Sequence, residues 1–412
     1  MRRFPVPEPV IPVMSTLSDA GYESYLVGGA VRDMWLGKEI HDFDVATSAA
    51  PNEVKRLFRQ TIDTGLRHGT VTVVCGGHHI EVTTFREEGP YLDGRRPSYV
   101  SFSTDLMADL ARRDFTMNAM AIARDGTLID PFGGAVDLAN RQLRAVGVPE
   151  ERFCEDGLRL LRALRFAVTY DLQMEAETWA AVDRAAEAMG PIANERIGQE
   201  LLRLLAGPWP RHLPLLAESR LWLVKGEPLA CLRQGFAWMM KAAHAAAQAE
   251  AAPVGIDGLA VLFAGLDDGP QFVKQLCQMF ALGKDAAKSA QSVCELVQRL
   301  LRGGETGWST HTLFEAGHDA ATRALQIWSW LSPTDVANIA QAEEKIRRQP
   351  LWSNRDLAIF GQDLLESGIH GPEIGQLLRW LREQVLDGRL ENEPRTLLAA
   401  ALDESIKRGM SS

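Results

Sequence analysis

Over roughly the first 145 residues, short β-branched apolar runs alternate with polar punctuation: TVTVVC, a GGHH turn, IEVTTFR, and later AIA, RDG and TLID. Such runs predict strands, and Gly76–Gly77 and Asp125–Gly126 stand where tight hairpins need positive φ angles. Helical segments fall between them, so a mixed sheet with helices is expected. Beyond about residue 150 the period changes. Leucine and alanine recur at helical spacing, as in EDGLRLLRALRFAV, and strand signals almost cease. The C-terminal two-thirds is therefore expected to be all helix. The Ala-rich KAAHAAAQAEAAP, ending near Pro253, reads as a helix and connector, and a domain boundary is expected near residue 210. No internal repeat of fixed period occurs.

Composition narrows the classes. A chain of 412 residues, 46% hydrophobic and 24% charged, can build two or three cores. Residues 1–25 interleave proline with polar residues and lack the apolar core of a signal peptide, and no stretch approaches a membrane span. Cys75, Cys154, Cys231, Cys277 and Cys294 are scattered, which suits a reducing cytoplasm and argues against a zinc site or disulfide framework. A cytoplasmic protein without a membrane partner is expected. The net charge of −10 weighs against simple nucleic-acid binding. Arginines nevertheless cluster at Arg95–Arg96, Arg112–Arg113, Arg159–Arg162–Arg165 and Arg347–Arg348, so RNA, if bound, belongs on a basic stripe of an acidic molecule.

Candidate chemistry begins at SYLVGGAVRDMWLG, where an apolar strand runs into Gly28–Gly29 and then a short helix beginning near Ala30. Two glycines there let the backbone approach a ligand, and a helix N-terminus offers N–H groups to an anion. A tight turn alone would need the same glycines. In HDFDVAT, Asp42 and Asp44 are two apart in a strand-like run and so share a face. Adjacent carboxylates repel unless a cation lies between them, and Mg²⁺ is an economical occupant because it takes one or two carboxylates and completes its shell with water and phosphate. The alternative is a solvated edge carrying two acids.

Leu26-Val27-Gly28-Gly29-Ala30-Val31-Arg32-Asp33 followed by Asp42-Phe43-Asp44-Val45-Ala46-Thr47 resembles the signature of DNA polymerase β-type nucleotidyltransferases, in the branch of class II tRNA nucleotidyltransferases and bacterial poly(A) polymerases. Further resembling segments follow in the family's order: Thr64-Gly65 with His68 to Val73, Glu81 to Arg86, Asp93 to Pro97, Arg112 to Ala119, Asp130 to Gly134, Glu155-Asp156 with Arg159, and Asn194 to Ile197. Fainter similarity runs from Gly361 through Gly388 and Asn392-Glu393. The resemblance implies that Asp42 and Asp44 hold two metal ions for in-line phosphoryl transfer to the 3′ end of tRNA from CTP and ATP. Glu81 adds a third carboxylate on the neighbouring strand or is buried as a structural partner. Gly28, Gly29 and Arg32 would support the phosphates, and Arg112, Arg113, Asp114 and Asn118 would meet sugar hydroxyls and phosphate.

Asp156 and Arg159 lie three apart on the amphipathic helix expected for EDGLRLLRALRF, hence on one face. Cytosine and adenine each place an exocyclic amino donor beside a ring-nitrogen acceptor, so a carboxylate with a guanidinium accepts both and is mismatched by guanine and uracil. A surface salt bridge is the plain alternative. Arg162 would stack or fix Asp156. Thr64 to Val71 resembles the tRNA-enzyme form, and the Arg86–Leu106 loop resembles one that CC-only enzymes lack. CCA addition is therefore expected first; A addition alone, poly(A) synthesis and a non-catalytic RNA-binding protein are the rivals. His318–Asp319 has no other histidine nearby, so no fused hydrolase is expected. The expected fold is α+β: a polymerase β-like head over residues 1–145, a helical neck over 146–210, and an all-helical body and tail over 211–412 that bind tRNA.

Overall fold

The computed structural model describes residues 3–66, 69–88, 100–246 and 252–408. The chain divides into two compact units, Met1–Arg233 and Gln234–Ser412. The first contains a seven-stranded sheet built from β1 (Ser24–Val27), β2 (Phe43–Thr47), β3 (Thr61–Gly65), β4 (Thr70–Cys75), β5 (His78–Thr84), β8 (Ala121–Ile122) and β9 (Leu128–Ile129), in the order β3-β4-β5-β2-β1-β8-β9. Only the β2–β5 pairing is parallel, so the sheet is mixed. Gly76 and Gly77, at φ of 58° and 82°, turn β4 back onto β5, and Gly126 at 83° serves β8 and β9. β6 (Arg86–Glu88) pairs with β7 (Val100–Phe102) in a separate ribbon. Asp93 to Pro97, with Arg95 and Arg96, lies outside the described residues, as do Arg67 and His68.

Helices α1 (Ile11–Asp19), α2 (Gly29–Trp35), α3 (Pro51–Leu57), α4 (Leu106–Ala111) and α5 (Gly134–Ala139) accompany this sheet. Val27, Ala46, Phe85, Leu106, Leu110 and Ala121 close one core cluster beneath it. The chain then turns helical through α6 (Pro149–Glu155), α7 (Leu158–Tyr170), α8 (Ala176–Arg184), α9 (Asn194–Leu204) and α10 (Leu213–Glu218). A short parallel pairing of β10 (Gln142–Leu143) with β11 (Gln173–Met174) interrupts it, an exception to the all-helical expectation.

The expected single helix across EDGLRLLRALRF is two helices. Asp156 and Gly157 break it: Asp156 takes an extended conformation at φ −138° and ψ 105°, and its Oδ1 accepts from Leu158 N at 3.0 Å. Gly157 sits against the backbone of Ala188, where a Cβ would stand 2.0 Å from its carbonyl oxygen. That close approach, which periodicity cannot reveal, fixes the corner between α6 and α7.

α11 (Cys231–Ala246) includes the start of the Ala-rich segment, and residues 247–251 lie outside the described set. The second unit continues through α12 (Ile256–Phe263), α13 (Gly269–Met279), α14 (Lys284–Gly303), α15 (Thr310–Ala316), α16 (His318–Leu331), α17 (Val336–Arg348), α18 (Gly361–Glu366), α19 (Pro372–Leu386) and α20 (Pro394–Lys407). α14 buries Ala287, Ala290, Val293, Cys294, Val297 and Leu300, the stripe that a helix of period 3.6 presents to its neighbours α13 and α16. Among the described residues no helix is long and apolar enough to cross a membrane.

Two glycines should respond to alanine with opposite signs. Gly157→Ala should lower stability by about 1–3 kcal/mol through overpacking at Ala188, whereas Gly375→Ala, in α19 with nothing within 4 Å of the added Cβ, should raise it by about 0.5–1 kcal/mol. Urea unfolding followed by circular dichroism reads both; a neutral Gly157→Ala would refute the close-packed corner.

Candidate active site

The site grows from the end of β1. Strand register sets Val27 opposite Asp44 on β2 and Asp44 beside Glu81 on β5. The chain leaves β1 through Gly28, at φ 71°, directly into α2. A Cβ on Gly28 would stand 2.9 Å from Arg113 Nη1 and 3.4 Å from Asp44 Oδ2, so the glycine is what lets an arginine and a carboxylate meet over this turn. α2 starts at Gly29, one residue before the expected Ala30.

Asp42 is exposed and precedes β2 by one residue instead of lying within the strand. Asp44 is half-buried. Burial pushes its carboxyl up to about 6, with Glu81 and Asp42 adding to the rise and Arg113 and Arg32 opposing it. Glu81 is exposed, which removes the alternative that it is a buried structural partner.

A cavity of about 470 Å³ opens beside Asp44. Gly28, Gly29, Arg32, Arg112, Arg113, Asp114, Asn118, Asp156, Arg159 and Arg162 all line it; Asp42 and Glu81 do not. Sequence reasoning missed four further lining residues, Leu158, Arg165, Phe166 and Arg196. Arg165 and Phe166 follow Arg162 at i+3 and i+4 along α7, so helical spacing contained that signal. Arg196 comes from α9, within the Asn194–Ile197 segment that resembles the family, but its spacing gave no role at the site.

Each arginine is held by a carboxylate or a carbonyl. Asp109, fully buried on α4, receives Arg112 at 2.6 Å and Arg113 at 3.2 Å, and although burial opposes it, the two guanidiniums hold its carboxyl below the usual range. Asp114 accepts from Phe115 N at 2.9 Å, Asn118 Nδ2 at 3.0 Å, and Arg162 Nε and Nη2 at 2.8 and 2.6 Å. Burial alone would raise this carboxyl; Arg162, the Asn118 amide and Arg159 outweigh it and keep Asp114 well below the usual carboxylate range. Asn118 Oδ1 in turn accepts from Arg32 Nη1 at 2.7 Å.

Arg159 does not pair with Asp156. It binds Glu155, one turn earlier, and the carbonyls of Arg152 and Arg112 at 3.0 and 3.1 Å. Asp156, freed from the helix by the break at Gly157, receives Arg196 Nη2 at 3.2 Å. The surface salt bridge between residues 156 and 159 is therefore absent, and both groups face the cavity on separate supports. Arg113 Nε and Arg196 Nη1 are buried without a hydrogen-bond partner among the described residues, a cost of the kind functional sites carry. Seven arginines and three aspartates make the lining strongly cationic. Such a pocket suits a polyanion carrying a polar ring.

Residues 24–144 match the family model of the poly A polymerase head domain, and residues 257–401 match that of tRNA nucleotidyltransferase domain 2. The chain is similar to the CCA-adding enzyme of Levilactobacillus brevis, at 39% identity over 394 residues, covering 95% of this chain and 96% of the relative. Similarity to the CCA-adding enzyme of Lacticaseibacillus paracasei is also 39%, over 404 residues, covering 97% and 96%. The crystal structure of the Bacillus stearothermophilus CCA-adding enzyme in complex with CTP aligns with a TM-score of 0.80 at 32% identity, covering 98% of this chain and 99% of that one.

The Asp114–Arg162 pair makes a thermodynamic prediction. Because the folded-state pKa of Asp114 is depressed, its ionised form contributes stability above the unfolded value of about 3.9, and that contribution is lost as pH falls below it. Arg162→Met leaves the buried carboxylate short of its main partner. It should cost about 1–3 kcal/mol at pH 7, less than a fully buried pair because 31% of the Arg162 side chain is exposed. It should also flatten the pH dependence of stability between about pH 2 and 4. Urea unfolding of both proteins across that range checks it; parallel curves would show that Arg162 does not set the Asp114 pKa.

Proposed function

The chain belongs to the family of CCA-adding tRNA nucleotidyltransferases, and we propose that the arginine-lined cavity beside Asp44 is where it selects CTP or ATP and joins the nucleotide to the 3′ end of tRNA. The reaction is template-independent and runs C, C, then A. In each round the RNA 3′-hydroxyl attacks the α-phosphate, a new P–O bond forms, the bond to the β-phosphate bridge breaks, and pyrophosphate leaves. The observation that carries the placement is the convergence on one cavity of the Gly28–Gly29 turn, the carboxylate of Asp44, and the Asp156 and Arg159 pair.

Nucleotidyl transfer in this family needs a divalent metal, and Mg²⁺ is our assignment. The donors fit: Asp42 and Asp44 are hard oxygen ligands, and Asp44, raised chiefly by burial with Glu81 and Asp42 adding to the rise against Arg113 and Arg32, would gain from a further cation. Among the described residues no three His, Cys, Asp or Glu side chains converge into a preformed cage. That suits an ion which keeps water and phosphate in its shell. When bound, Mg²⁺ stabilises charge on the triphosphate and makes the attacking hydroxyl more acidic.

The chain's own residues supply the rest. Gly28 and Gly29 admit the triphosphate close to the backbone, and Arg113 sits over that turn. Arg32 commits three N–H groups to Asp33 and Asn118, which leaves two for phosphate. Asp156 accepts the exocyclic amino group of C or A, and Arg159 donates to the adjacent ring nitrogen. Because Arg196 holds the first and Glu155 the second, neither must reorganise when the base arrives.

Two measurements test this reading. Asp44→Ala and Asp42→Ala should each lower CTP incorporation by roughly a hundredfold or more, while filter binding to tRNA lacking its CCA end stays near normal. Near-normal turnover in both would remove the metal assignment. Arg159→Ala should narrow the preference for CTP over UTP on the same tRNA by about one to two decades, from about 1–3 kcal/mol of unmatched polar groups. An unchanged ratio in the folded variant would sink base reading at this position.

A further inference from the structure

A hydrogen-bonded circuit joins α7 to the nucleotide turn and returns to α7. It leaves the helix at Arg162, passes to Asp114, to Asn118 and to Arg32, whose Nε and Nη2 bind Asp33 at 3.0 Å each. The last link is Tyr170, whose hydroxyl donates to Asp33 Oδ1 at 3.1 Å. The Tyr170 ring lies 4.3 Å from the Arg32 guanidinium carbon and 4.5 Å from Lys38 Nζ, and its centroid is 5.9 Å from that of Phe166. Tyr170 therefore braces Arg32 twice, by its ring directly and by its hydroxyl through Asp33. Tyr170 does not itself line the cavity.

We propose that Tyr170 is a positioning residue that holds the phosphate-facing Arg32 in register with the base-facing end of α7, and so sets both nucleotide affinity and base discrimination. The proposal rests on the assignment of the cavity as the nucleotide site. Arg159, Arg162, Phe166 and Tyr170 fall at i, i+3, i+7 and i+11, one stripe of a single helix. One rigid rod thus carries the base reader at its start and the Arg32 brace at its end, about 16 Å apart. Without the brace, Arg32 keeps Asp33 and Asn118, which belong to the head, and the more distant Phe166 ring at 5.4 Å, but it loses its closer ring contact and the hydrogen-bonded tie through Asp33 to the end of α7. Burial pushes the Tyr170 phenol up to about 12, so it keeps its proton and its donor role across the working pH range.

Tyr170→Phe keeps the ring and removes the bond to Asp33; Tyr170→Leu removes both. Full-length variants are compared with the parent for CTP affinity by calorimetry, for kcat and KM on tRNA lacking its CCA end, and for the CTP-over-UTP ratio. Tyr170→Leu should weaken CTP binding about tenfold and narrow the ratio several-fold, with KM moving more than kcat, and Tyr170→Phe should recover most of this, leaving about a two- to threefold loss. A purely structural role would lower the melting temperature and leave affinity and ratio per folded molecule unchanged, and that result overturns the proposal. Should Tyr170→Leu fail to fold, unaltered CTP affinity in Tyr170→Phe overturns it instead. Arg113→Ala is measured alongside. If it too binds CTP normally, the cavity assignment fails and the proposal with it; if it loses CTP while Tyr170→Leu does not, only the Tyr170 assignment fails.

Discussion

A single buried carboxylate, Asp114, is the constraint around which the site is organised. Almost removed from water, it is stable as an anion only because Arg162, the Asn118 amide and the Phe115 N–H converge on it. Satisfying that charge pins three things at once: the turn after α4, the cavity face of α7, and, through Asn118, the Arg32 side chain of α2. Asp109 does the same for Arg112 and Arg113. Two carboxylates, neither placed to meet a substrate as an acid or base, thus orient four arginines around one cavity.

This arrangement answers the objection raised by the chain's net charge of −10. Affinity for phosphate depends on the local field, and here seven arginines face one cavity while acidic residues dominate elsewhere. The arginines are anchored, so little side-chain entropy remains to be lost when a triphosphate binds. Asp44 carries the opposite stress. Burial and the acids beside it raise its carboxyl to about 6, which makes it the group in the site with most to gain from a divalent cation. The proposed template-independent addition would draw on this combination of a rigid cationic grip and a buried carboxylate beside it.

Sequence alone determined the mixed sheet, the glycine turns, the change to helix after about residue 150, and nearly the full lining of the cavity. The first three were legible because they rest on local physics, periodicity of burial and the φ freedom of Gly28, Gly76 and Gly77, whereas most of the lining residues were implied by the resemblance of their motifs to a known family. Tertiary structure decided what depends on close approach between distant segments. The helix breaks at Asp156, whose extended backbone precedes a Gly157 packed too closely against Ala188 for a side chain, and that break separates Asp156 from Arg159 and hands them to Arg196 and Glu155. The β2–β5 register decided between the two readings of Glu81 by setting it beside Asp44, and Tyr170 reaches Asp33 across 137 residues of chain. A partner so remote leaves no trace in local spacing, because the favourable free energy of burying and pairing polar groups is realised only once the fold has brought them together.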